Sequence, residues 1–69
     1  MKTRLMVTIE NYKRDQARIE RKIKELKWSM KNAPSMTING EERLKEYQNI
    51  LQDIKHILTQ LEWIARGEE

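Results

Sequence analysis

Between Glu41 and Arg66 the residues Leu44, Tyr47, Leu51, Ile54, Leu58, Leu61 and Ala65 recur at alternating spacings of three and four. That is a heptad seam, with apolar side chains at the a and d positions of one long helix. A second column, Ile50, Ile57 and Ile64, repeats every seven residues beside the seam, at g. The apolar face is therefore roughly twice as wide as a single partner helix covers. The rest of the chain is read as what packs on that face.

The first half carries a matching but narrower stripe. Ile9, Tyr12, Gln16, Ile19, Ile23, Leu26 and Met30 form an a/d seam with one polar interruption. Its flanks are polar: Asp15, Lys22 and Ser29 at g, and Lys13, Glu20 and Lys27 at e. Glu10–Arg14 and Glu20–Lys24 are spaced for i,i+4 support of about 0.2–0.5 kcal/mol each. Lys24, Lys27 and Lys31 complement the helix dipole near its C-terminal end. Ala33-Pro34 then stops the helix, because the residue before proline is pushed out of the α region.

The connection, 33–39, is of ordinary length for antiparallel neighbours. Asn39 and Glu42 have the spacing of a capping box for the second helix, and Glu41 and Glu42 suit its positive end. Met36 and Ile38, apolar in a polar loop, are expected to fold over the end of the core. Gly67 is expected as a left-handed C-cap, with Glu68 and Glu69 frayed beyond it. At the other end two readings stand. Leu5 continues the seam backwards, so the helix reaches residue 4. Alternatively Thr8 caps it, with Val7 and Tyr12 as a hydrophobic staple, and the first seven residues form an arm or strand.

The expectation is an all-α fold: an antiparallel, coiled-coil-like two-helix hairpin, with helices over about 4–32 and 40–66, as one domain over 1–69. Pairing Met30 with Leu44 places Leu26 by Tyr47, Ile23 by Leu51, Ile19 by Ile54, Gln16 by Leu58 and Ile9 by Ala65. Isoleucines at 50, 57 and 64 are left over. Burying each is worth about 1.5–3 kcal/mol, so a second hairpin packing on them gives a two-fold four-helix bundle. The dimer interface is expected at Gln16, Ile50, Ile57 and Ile64, with Gln16 meeting its symmetry mate and fixing register. The competing use of the column is to bind a different protein.

Size supports association. At 69 residues the core is small, and with no cysteine neither disulfides nor thiolate metal sites staple it. A single histidine excludes the usual structural zinc site. Nor does the sequence offer catalytic parts. The only glycines, Gly40 and Gly67, make no phosphate loop, and any Ser–His–Asp set would depend on His56. Asp53 and His56 are spaced i,i+3 but fall at c and f, away from the seam, so no metal is expected there. Glu41, Glu42 and Glu46 read as cap and solvated face. No catalytic residue, cofactor or enzyme activity is expected. No stretch approaches the ~20 apolar residues of a membrane span, and Leu5-Met6-Val7 is too short a run for a signal peptide. The expected setting is cytoplasmic, without membrane contact.

Charge is divided unevenly. Residues 1–32 hold ten basic and four acidic side chains, a balance of +6, and 33–69 hold four and seven, a balance of −3, which together give the net +3. One reading is long-range complementarity between the helices; the other is a basic face that meets nucleic acid or an acidic protein. Trp28 sharpens the second reading. It falls at f, opposite the seam, among Arg14, Arg18, Arg21, Lys24 and Lys31. Such a set can stack on a base while cations hold phosphates, or anchor a protein interface. Otherwise Trp28 is covered by Met36 or Ile38, or lies along the lysine stems. Trp63, at f of the second helix, is expected to be sheltered by Val7 or Met6, with His56 and Asn49 on the same outer face.

The leading functional expectation is a small regulatory or inhibitory protein. It would act by protein–protein interaction as a homodimer, with Trp28 and Trp63 as anchors and Arg14, Arg18 and Arg21 as rim charges. The alternative is nucleic-acid binding through the basic face of the first helix. A structural or assembly subunit is the third.

Overall fold

Thr3 starts the first helix. In an extended backbone, φ −73° and ψ 163°, its hydroxyl accepts the Met6 N–H at 3.2 Å. That is the geometry by which an N-cap satisfies one of the free N–H groups of a first turn. In the computed structural model, which describes residues 2–67, α1 runs Arg4–Asn32 and α2 runs Gly40–Gly67, joined by a short 3-10 turn at Pro34–Met36. The arm reading of the first residues is thereby excluded from Arg4 onward. Thr8 does not cap: its hydroxyl donates to the Arg4 carbonyl at 2.9 Å, inside the helix. Lys2 would be unfavourable beside the positive helix end, but it reaches Glu10 at 2.7 Å.

α1 ends at Ala33, whose φ of −141° and ψ of 60° are forced by Pro34. The turn is then clipped to α1 by side chains. Thr37 donates its hydroxyl proton to the Ala33 carbonyl at 2.9 Å, so Ser29 is the donor in the Ser29–Thr37 hydroxyl pair. The clip explains a departure from expectation. Thr37 has extended backbone (φ −104°, ψ 91°) and a half-buried side chain tied to α1, while Met36 and Ile38 on either side of it make no such tie. Met36 and Ile38 are accordingly 83% and 75% exposed and do not cover the core.

Asn39 also departs from the capping-box expectation. Its φ of 54° lies in the left-handed region, which asparagine tolerates, not in the extended conformation of an N-cap. Its carbonyl accepts the Arg43 N–H at 3.0 Å. The bend lets Gly40 press against the end of α1. A Cβ at residue 40 would lie 2.8 Å from Met30 Cγ and 2.9 Å from Thr37 Cγ2, so glycine is there for close approach. At the far end α2 continues helically through Gly67. No glycine has positive φ, and Gly67 faces open space with nothing to fold back upon. The expected left-handed cap is absent, and Glu68 and Glu69 lie outside the described residues.

The two helices pack antiparallel along their seams. Ile23, Leu26, Ile54 and Leu58 are buried, and the other a and d residues from Ile9 to Met30 and from Leu44 to Ala65 are half-buried. Leu26 and Tyr47 line one groove together, Ile9 and Ala65 another, in keeping with the register expected from the seams. Among the described residues there is no strand, and no helix is long and apolar enough to cross a membrane. The result is a rod of 52 × 20 × 13 Å with a radius of gyration of 15.7 Å, against about 11 Å for a globule of this length.

Candidate interaction surfaces

Each side of the seam presents one flank to solvent. On the e flank Lys13 Nζ lies 3.8 Å from Glu62 Oε1, and this is the one ion pair joining the helices among the described residues. On the g flank α1 contributes Thr8, Asp15, Lys22 and Ser29, and α2 contributes Arg43 and the isoleucine column. Ile50 is 44% and Ile64 53% exposed, with Ile57 half-buried between them. Among the described residues the α1 side chains alongside this column are polar, and the column is left partly exposed. Trp63 extends the apolar surface. It lines a shallow groove with Ile64, Thr59 and Gln60 and is 76% exposed. The shelter expected from Met6 and Val7 is absent: they sit at e and f of the other helix and are themselves 48% and 43% exposed.

The second surface is the outer face of α1. Arg14, Arg18, Arg21, Lys24 and Lys31 are all exposed and in no ion pair among the described residues. Both i,i+4 pairs expected on this helix are replaced. Glu10 binds Lys2, and Glu20 accepts the Gln16 side-chain amide at 3.0 Å. Among the described residues, direct ion pairing of the basic helix with the acidic one is thus confined to Lys13–Glu62. Trp28 stands in the same stripe at 65% exposure, and the exposed loop residues Met36 and Ile38 do not cover it. Asn32 Nδ2 donates to the Trp28 carbonyl at 2.9 Å and fixes the backbone beneath it. Beside the stripe, Lys13, Gln16, Ala17, Glu20, Arg21 and Lys24 line an open groove.

Gln16 is half-buried and turned along its own helix toward Glu20. Asp53 and His56 are exposed, and His56 Nε2 lies 3.3 Å from Gln60 Nε2. Among the described residues no three His, Cys, Asp or Glu side chains are grouped to hold a metal. The groove between Trp63 and Ile64 was open to sequence reasoning, since Gln60, at c, is the i,i+3 neighbour of Trp63 and the i,i+4 neighbour of Ile64. The exposure of Met36 and Ile38 was not, because it depends on the hydroxyl clip. Comparison of the chain with protein-family models finds no match, and comparisons with curated proteins and with solved structures find no significant one.

Proposed function

We propose that this protein is a non-enzymatic interaction protein: a helical hairpin that dimerises through its isoleucine column and regulates another macromolecule by binding it. The observation that carries the reading is the amount of surface a lone hairpin leaves in water. The chain exposes 6069 Å², whereas a compact monomer of 8.4 kDa exposes roughly 4,600 Å². The surplus is nearly twice the ~800 Å² each partner buries in a standard interface. It includes three isoleucines in one line, the composition of an interface core. Trp28 and Trp63, both turned outward, are the residue type that most often anchors a bound partner.

Sedimentation velocity across a concentration series tests the dimer. A species of twice the chain mass is expected at micromolar concentration, and a monomer throughout overturns the proposal. A partner protein is the leading target. Nucleic acid is the second reading, favoured by one observation: among the described residues Arg14, Arg18, Arg21, Lys24 and Lys31 on the outer face of α1 are in no ion pair. In a Trp63→Phe variant the remaining indole reports on that face. Under the nucleic-acid reading, oligonucleotides quench Trp28 at about 50 mM salt and lose affinity steeply by about 200 mM, as counterion release requires. No quenching at the lower salt removes this reading and leaves the protein partner.

A further inference from the structure

The g flank has two parallel rows, and their sequences determine how a second copy sits on it. Along α1 the row reads Thr8, Asp15, Lys22, Ser29; along α2 the apolar row reads Ile50, Ile57, Ile64. Two hairpins that bury this flank against each other have two symmetric choices. If the two-fold axis runs along the rod, each α1 row faces the partner's α2 row. Using the hairpin's own register, Asp15 and Lys22 would then abut isoleucines, which desolvates charge against hydrocarbon with no compensating partner. If the axis crosses the rod, α1 faces α1 and α2 faces α2, each running antiparallel to its mate.

Only the second choice makes both rows self-complementary. Read against its own reverse, the α1 row pairs Thr8 with the partner's Ser29 and Asp15 with the partner's Lys22. The α2 row pairs Ile50 with the partner's Ile64 and brings Ile57 onto itself. The two alignments also agree in height. With Ile57 on the axis, α1 register places Asp15 within about one helical turn, roughly 5 Å along the rod, of the partner's Lys22. Long side chains bridge that offset. We infer that the second copy binds antiparallel, α2 against α2 with Ile57 at the two-fold axis and α1 against α1 through Asp15 and Lys22. The inference rests on the dimer proposed above and adds its geometry.

The cysteine-free chain allows a direct test. A disulfide forms only when the two Cα atoms lie within about 7 Å. Ile57→Cys, oxidised, should therefore give a reducible covalent dimer in high yield, whereas Lys55→Cys on the opposite flank should not. Mixing an Ile50→Cys chain with an Ile64→Cys chain should give the mixed dimer. A second measurement reads the charged row: Asp15→Lys should weaken dimerisation by about tenfold, and adding Lys22→Asp in the same chain should restore it. A cross-link between Ile57→Cys and Asp15→Cys chains, with none between two Ile57→Cys chains, would establish the axis along the rod and overturn the geometry alone. A chain that sediments as a monomer would overturn the dimer and the geometry together. A dimer in which neither set of cross-links forms would mean that the copies meet through another face, and the geometry would fall while self-association stood.

Discussion

The two flanks of the hairpin rise from the same seam and share the same helices, yet one is finished and the other is not. On the e flank Lys13 reaches Glu62, and apart from Met6 the side chains at e are polar on both helices. On the g flank α2 supplies isoleucines and α1 supplies nothing apolar to meet them. The seam holds the hairpin shut; the asymmetry between the flanks is what supports the proposed pairing of two copies. A chain with two polar flanks would be a marginal monomer. A chain with two apolar flanks would have no reason to stop at two copies. One apolar flank on one helix supports a closed pair.

This contrast can be broken at single positions. The largest effect is expected from Ile57→Glu, which removes two isoleucines from the dimer and sets two carboxylates at its axis. The part of the two half-buried isoleucines that association would cover is worth about 1–3 kcal/mol, and burying the carboxylates adds to the loss, so sedimentation should show monomer at concentrations where the parent chain is dimeric. The next position, Leu58, belongs to the seam. Leu58→Ala should cost about 2–5 kcal/mol of hairpin stability, read as a lowered denaturant midpoint, because it opens a cavity at one of the four buried core residues. Adjacent residues thus report on different events, association and folding. The smallest effect is expected on the finished flank. Lys13→Ala loses a partly exposed pair at 3.8 Å and should shift stability by less than about 0.5 kcal/mol, with no change in sedimentation. A large loss of dimer from Lys13→Ala would reverse the assignment of the two flanks.

The hairpin itself was legible in the sequence, and the reasons are local. Spacings of three and four name the buried face of each helix, and Ala33-Pro34 names the break between them. What escaped were features that depend on which atoms reach which. Thr3, not Thr8, caps α1, and Lys2, just before the cap, is offset by Glu10. Met36 and Ile38 read as a lid by composition, yet Thr37 between them is the residue tied to α1, and both are exposed. Asn39 had the spacing of a cap but serves as a left-handed hinge that brings Gly40 against Met30. The candidate surfaces were legible to the same degree. Heptad position placed Trp28, the arginines and the isoleucine column on the outside, but not whether a loop or arm would cover them.

The clipped loop has a consequence for an antiparallel pair. Met36 and Ile38 sit at one end of a rod 52 Å long, held outward by the Ser29–Thr37 hydroxyl pair. Reversing the second copy sends its loop to the other end. The assembly would then carry two identical apolar tips facing away from each other along its length. Such an object cannot clamp one small target between its tips. It would act as a fixed-length spacer, and any molecule held by both tips would itself have to be long, or be two molecules held a set distance apart.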